Sequence, residues 1–228
     1  MSRGWLIVFA KAPRPGLVKT RLSPPLSLDQ CAELYDAMLG DVLEASLRYA
    51  KEFDLEPVLA YHPPDGAAEM ISRTPAGYRL QLQHGDGLAK RMANAFAEAC
   101  ASGAERVVLR GSDSPALEAE LVGQALAGLD AGDELVLTPD QSGGYAMIAM
   151  RSPHSAIFDV AMSTGEVLDE TLRVARSLSL RGSITAPTFD IDTDADLRAF
   201  ETLMTEQGLD LCPRTVESFS SLARDPVL

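Results

Sequence analysis

Leu6-Ile7-Val8-Phe9-Ala10, followed at once by Lys11-Ala12-Pro13-Arg14-Pro15-Gly16-Leu17-Val18-Lys19-Thr20-Arg21, decides the reading of this chain. The first five residues are a short apolar run rich in strand formers, and the run ends abruptly in prolines and a glycine. That is the pattern of a fully buried strand passing into a loop of fixed, non-helical course. Lys11, Arg14, Lys19 and Arg21 crowd into that loop, whereas the chain as a whole carries a formal charge of −13. Cations at the C-terminal end of a first strand, beside a Cβ-free Gly16 whose N–H a ligand can approach closely, suit a polyphosphate. The other reading is a solvated basic turn.

Outward from this point, strands and helices alternate. Ser27 with Gln30 has the spacing of a capping box. Behind it Cys31, Leu34, Tyr35, Met38, Val42, Ala45, Tyr49 and Phe53 recur at helical spacing, which predicts a long amphipathic helix. Strands are expected at 55–61, 78–82, 106–110, 134–138, 145–150 and 184–191. Helices are expected from Leu88 to about Ala99, at 118–129, around 167–178, around Leu197–Met204, and at 213–222. This order implies right-handed βαβ units, a mainly parallel sheet and helices on both faces. In such open α/β sheets ligands bind beyond the carboxyl ends of the strands.

With 228 residues the chain is large enough to bury roughly 70% of its unfolded surface in one core. We expect a single domain over 1–228 with a short C-terminal extension from about residue 207. The acidic surface makes nucleic acid and anionic lipid poor partners. Cys31, Cys100 and Cys212 are scattered and show no zinc spacing, as expected of free thiols in a reducing compartment. The N-terminal apolar run is too short for a signal sequence or a membrane span. A cytoplasmic protein, monomeric or homodimeric, is the expectation.

Four further loops carry candidate chemistry. Gly111-Ser112-Asp113-Ser114-Pro115 places a carboxylate after a buried strand, where it can hold a hard cation or simply cap the next helix. Asp190, Asp192, Asp194 and Asp196 precede a helix; the last two suit its first turn. Asp190 and Asp192 alternate onto one face and need a cation or other partner, for which the site of Asp113 is a candidate. Gly143-Gly144-Tyr145 reads as a hairpin turn, or as a close-approach surface with an aromatic ring and hydroxyl beside a polar acceptor. Gly85-Asp86-Gly87-Leu88 with Arg91-Met92 opens a helix whose N–H groups can hold a base or phosphate, Leu88 and Met92 themselves being core-like. Neither GxxxxGK[ST] nor GxGxxG is present.

The stretch from Phe9 to Leu22 resembles the opening motif of a family of small bacterial nucleotide-diphospho-sugar-transferase-like proteins of the GT-A superfamily. Members are often described as glycosyltransferases, some associated with arsenosugar biosynthesis. The resemblance continues through Arg91–Phe96, Gly111–Pro115, Gly143–Tyr145, Ser163-Thr164 with Val167–Leu172, and Asp190–Thr193, spanning about residues 5–205. It implies a GT-A fold, an α/β mixed and mostly parallel sheet flanked by helices, and a Mg2+ or Mn2+ ion. Carried over by motif, Lys19 contacts phosphates, and Asp113 with Asp190 or Asp192 holds the metal. The candidate nucleotide-binding residues are Lys11, Ala12, Pro13, Gly16, Lys19, Thr20 and Arg21, with Gly87 and Arg91. Gly143, Gly144, Tyr145, Ser163 and Thr164 are candidates for the acceptor side, and Asp113, Lys19 and Tyr145 for catalysis. The chain departs from the family in reading Gln141-Ser142 where many members have Glu-Asp, and Met162 where an aromatic is usual.

The expected activity is metal-dependent transfer of a glycosyl group from a nucleoside-diphosphate sugar to a small acceptor. A nucleotidyltransferase that uses a nucleoside triphosphate and releases pyrophosphate is the alternative, and a catalytically idle nucleotide-binding module is another. No general base stands out in the sequence.

Overall fold

The computed structural model describes residues 4–162, 164–207 and 210–222. Seven strands form one sheet: β1 (Gly4–Lys11), β2 (Glu56–His62), β3 (Arg79–Leu82), β4 (Arg106–Arg110), β5 (Leu135–Pro139), β6 (Tyr145–Met150) and β7 (Gly182–Ile184). Their order is β3-β2-β1-β4-β6-β5-β7, with β6 antiparallel to both neighbours and every other pair parallel. The α-helices among the described residues are α1 (Leu28–Glu52), α2 (Ala67–Arg73), α3 (Gly87–Ala101), α4 (Ala119–Asp130), α5 (Val167–Ser177), α6 (Asp194–Gln207) and α7 (Pro213–Leu222).

β1 is central and buried along its length up to Ala10, as its unbroken apolar run requires. Alternation then divides its side chains between the two faces of the sheet. Trp5, Ile7 and Phe9 share one core cluster with Met92 and Phe96 of α3, and Ala175 of α5 extends that cluster further along the same face. Leu6 meets Tyr49 of α1 and Leu121, Val122 and Ala125 of α4, while Val8 and Ala10 meet Tyr35, Leu39 and Val42 of α1.

The long helix α1 starts where its capping box lies. The Ser27 hydroxyl accepts from the Gln30 amide at 3.2 Å, and the Gln30 side chain accepts from the Ser27 amide at 2.8 Å. Replacing Ser27 by alanine is expected to cost about 1 kcal/mol, read as a lower denaturant midpoint at constant slope. At the other end of the chain, α7 lies on α1. The buried Asp41 carboxylate accepts from the Thr215 amide and hydroxyl, each at 2.7 Å, and from the Arg214 amide at 3.2 Å. Cys31 and Cys212 are buried free thiols in the cluster joining α1 with α6 and α7, whereas Cys100 is only half-buried.

One expected strand is corrected. Only Gly182–Ile184 pairs in the sheet; residues 185–191 run extended without a ladder. Pro187 has no amide to give, and the bonds of the neighbouring amides leave β5 one after another for other parts of the chain. Thr185 and Thr188 donate to Leu137 and Pro139 of β5, and Ile191 donates to Asp113 O at 2.9 Å beyond β4. The segment therefore crosses the ends of the strands and delivers its aspartates to the loop after β4. The short helix α2 was not expected from the sequence.

Candidate functional site

Three chain segments meet at the C-terminal edge of the sheet, and one tyrosine ties two of them. The buried Tyr35 hydroxyl, reaching up from α1, accepts from the Lys11 amide at 3.0 Å and is 2.8 Å from the Ser112 hydroxyl. Burial, with the nearby Asp113 charge, pushes this phenol up to about 12, so it remains a neutral strut. The loop after β4 is also held from below. The fully buried Arg110 guanidinium donates to Gly111 O at 3.3 Å, to the Ser46 hydroxyl at 3.4 Å and to Ser114 O. Its charge is thus satisfied by carbonyls and a hydroxyl rather than by a carboxylate.

Lys19 lies between the acids of this edge. It adopts the left-handed conformation, φ 47°, and its side chain is 3% exposed. The ammonium pairs with Asp113 Oδ1 and, at 2.7 Å, with Asp192 Oδ1. Burial alone would lower its pKa; the two carboxylates outweigh that and hold it above the ordinary lysine value. Asp190 lies deeper. It receives the Ser114 hydroxyl, and Gln141 brackets its backbone, accepting from its N–H at 2.9 Å and donating to its C=O at 2.6 Å. Burial, reinforced by the Asp113 charge, pushes the Asp190 carboxyl up to about 7.

These groups open onto a cleft of about 540 Å³. Lys11, Lys19, Thr20, Arg21 and Arg91 line it, as do Asp113, Asp190 and Asp192, and Gly144, Tyr145 and Thr164. Five other candidates lie outside its wall. Ala12 is buried, its amide given to His62 O at 2.8 Å. Pro13 and Gly16 shape the turn behind Lys19, with Gly16 at φ 77°. Gly87 opens α3. Gly143, at φ 86°, supports the hairpin from behind, where any Cβ would collide with the Gly165 carbonyl. Ser163 falls outside the described residues.

The cations divide into two kinds. Arg14 is taken by Asp65 at 2.8 Å and Glu69 at 3.0 Å, so it braces α2 rather than facing the cleft. Lys11, Arg21 and Arg91 form no ion pair among the described residues, and the Arg91 Nε is buried without a hydrogen bond. The Tyr145 ring lines the cleft, but its hydroxyl is buried beside Thr171 without a well-formed hydrogen bond, which turns it away from any acceptor.

Sequence reasoning missed Tyr35, Arg110, Gln141 and Asp140. The first two sit in apolar stretches that read as core. Asp140 faces the cleft and binds its own turn, accepting from Ser142 N at 2.7 Å, Ser142 Oγ at 2.8 Å and Gly144 N at 2.9 Å. An aspartate three residues before a glycine pair is an Asx-turn signal that was available.

Among the described residues no group of three or more His, Cys, Asp or Glu is arranged as a metal site. Asp113 and Asp192 do converge on one cationic point, Lys19 Nζ. That donor set suits a hard cation which takes one or two carboxylates and completes its shell with phosphate oxygens. Asp190, bound to Ser114, is not part of that pair.

Several solved structures share this architecture. A proposed nucleotide-diphospho-sugar transferase of Desulfovibrio desulfuricans G20 superposes with a TM-score of 0.81 at 27% identity, over 97% of this chain and 98% of that one. A cytidylyltransferase of Leptospira borgpetersenii serovar Hardjo-bovis (strain JB197) gives 0.59 at 12% identity, over 99% and 96%. A CMP:2-keto-3-deoxy-manno-octonic acid synthetase complexed with CTP gives 0.52 at 14% identity, over 90% and 100%. The fold is therefore that of the nucleotide-diphospho-sugar transferases. No curated protein matches the chain. A family model matches residues 45–164, and the chain accordingly belongs to DUF2064, a family described as uncharacterized protein conserved in bacteria.

Proposed function

We propose that this protein transfers a glycosyl group from a nucleoside-diphosphate sugar to a small acceptor. The observation that carries the reading is the convergence, in an acidic protein, of the unpaired Lys11, Arg21 and Arg91 with the Asp113–Lys19–Asp192 cluster on one cleft. Fixed cations in a partly dehydrated cleft stabilise charge that develops on a departing diphosphate. Arg91 presents a planar fork suited to phosphate oxygens, and Lys11 adds a point charge. Asp113 and Asp192 would hold a divalent ion, which when bound supplies further neutralisation of the leaving group. The resemblance of the opening motif and the structural neighbour described as a proposed nucleotide-diphospho-sugar transferase support the same assignment.

Isothermal titration of UDP, GDP, CDP and ADP, each against its bare nucleoside, tests the reading. At least one diphosphate should bind, and binding should strengthen with Mg2+ or Mn2+. Arg91→Ala should weaken the diphosphate by roughly 10–100-fold while leaving the nucleoside almost unchanged, the size expected for hydrogen bonds to a charged group. Failure of all four diphosphates to bind would reject the assignment. Release of pyrophosphate from a nucleoside triphosphate would replace glycosyl by nucleotidyl transfer.

A further inference from the structure

The two halves of the cleft differ in charge. Its cations, Lys11, Lys19, Arg21 and Arg91, all come from the end of β1, the loop that follows it, or α3. The opposite wall is built from the β5–β6 hairpin and the segment leading into α5. Its described lining residues include the Tyr145 ring, Met162, Val167 and Thr164, and the only charged one is Asp140. With phosphates on the cationic half, as the proposed function requires, this second wall is left to face the acceptor. A phosphate or carboxylate there would meet an anion and no free cation, Lys19 being engaged by two aspartates.

Asp140 is also placed to act. Its three internal donors, Ser142 N, Ser142 Oγ and Gly144 N, all fall on Oδ1. Oδ2 receives none of them. A Cβ at Gly144 would come within 2.5 Å of Oδ2, so the glycine leaves that oxygen room to hold its position. The hairpin thus fixes a carboxylate by one oxygen and leaves the other for an incoming group, in a cleft lined also by an aromatic ring and a deformable methionine.

We propose that this wall binds an uncharged alcohol with an apolar face, and that Asp140 is its general base. The acceptor oxygen forms a bond to the anomeric carbon while its proton passes to Asp140 Oδ2. The bond from that carbon to the diphosphate oxygen breaks, and its electron pair leaves with the nucleoside diphosphate. Asp140 then returns the proton to solvent.

The test uses two probes with the same ring and hydroxymethyl group, benzyl alcohol and 4-(hydroxymethyl)benzoate, added to the full chain saturated with the tightest-binding nucleoside diphosphate. Methionine-methyl NMR should show benzyl alcohol perturbing Met162 at concentrations at least tenfold below those needed for the benzoate. Asp140→Asn keeps an oxygen for the three internal donors, and should narrow that gap. With benzyl alcohol and the matching nucleotide sugar, the same variant should release nucleoside diphosphate roughly 10²–10⁴-fold more slowly than the wild type, at unchanged diphosphate affinity. Equal or tighter binding of the benzoate, no transfer to benzyl alcohol by wild type that binds the diphosphate, or an unchanged rate in the variant overturns the proposal. Loss of diphosphate binding by the wild type would instead remove the functional reading beneath it.

Discussion

Replacing Lys19 by alanine is expected to lower the unfolding free energy by about 2–3 kcal/mol in metal-free buffer, and millimolar Mg2+ is expected to restore part of it. The ammonium is almost wholly buried and is the shared counter-ion of Asp113 and Asp192, whose side chains are each 40% exposed. Removing one partner of a fully buried pair costs about 3–5 kcal/mol because a charge is left uncompensated. Access of water to the two carboxylates reduces that figure here. The variant leaves two anions facing one vacated point, which is the donor arrangement a hard cation needs. Urea titrations of both proteins, in EDTA and in Mg2+, measure the difference. Equal sensitivity to Mg2+ in wild type and variant would mean that the two carboxylates do not share a cation position.

This result would also change how the basic loop is understood. Counted as sequence, Lys11, Arg14, Lys19 and Arg21 are four equivalent positive charges ahead of a phosphate. Two of them are spent within the protein. Arg14 meets Glu69 55 positions away, and Lys19 meets Asp192 173 positions away. Such distant pairings have no signature in local spacing. Free cationic charge in the cleft instead comes from Lys11, Arg21 and the helix residue Arg91.

The fold was legible where one periodicity dominated. β1 is apolar on both faces because both are covered, and α1 announces its start through Ser27 and Gln30. The stretch 184–191 misled because its strand-forming residues beyond Ile184 form no ladder, the amides of Thr185, Thr188, Asp190 and Ile191 going to separate acceptors. Asp113 and Asp192 could be marked as candidates from their positions after apolar runs, and the structure brings both to Lys19. Arg110 could not: a charge at the end of Val107-Val108-Leu109 reads as a strand boundary, and its burial is made tolerable by the carbonyls of the following loop and the Ser46 hydroxyl. Tyr35 is an ordinary core position of a helix until its hydroxyl is seen between Lys11 and Ser112.

Asp190→Asn is expected to stabilise the protein above neutral pH by as much as about 4 kcal/mol, with almost no effect near pH 4. In the folded state the carboxyl is raised to about 7, mainly by burial and then by repulsion from Asp113. In the unfolded chain it titrates near the ordinary aspartate value of about 3.9. Below that value both states hold the proton and the group adds no penalty. As pH rises toward 7 the unfolded chain releases its proton while the native state keeps one, so stability falls by about 1.4 kcal/mol per pH unit. Above 7 the native carboxylate is ionised and the penalty is complete. Asparagine keeps an oxygen for the Ser114 hydroxyl and has no proton to lose, so its pH–stability curve should be flatter than that of the wild type by one proton across this window. Denaturant midpoints at pH 4–8 in metal-free buffer give the comparison, and parallel curves would place the carboxyl in a hydrated setting instead. Because the Lys19 charge pulls the Asp190 value down, Lys19→Ala should carry the same titration to still higher pH. The double variant should remove it, which makes the coupling between the two residues directly measurable.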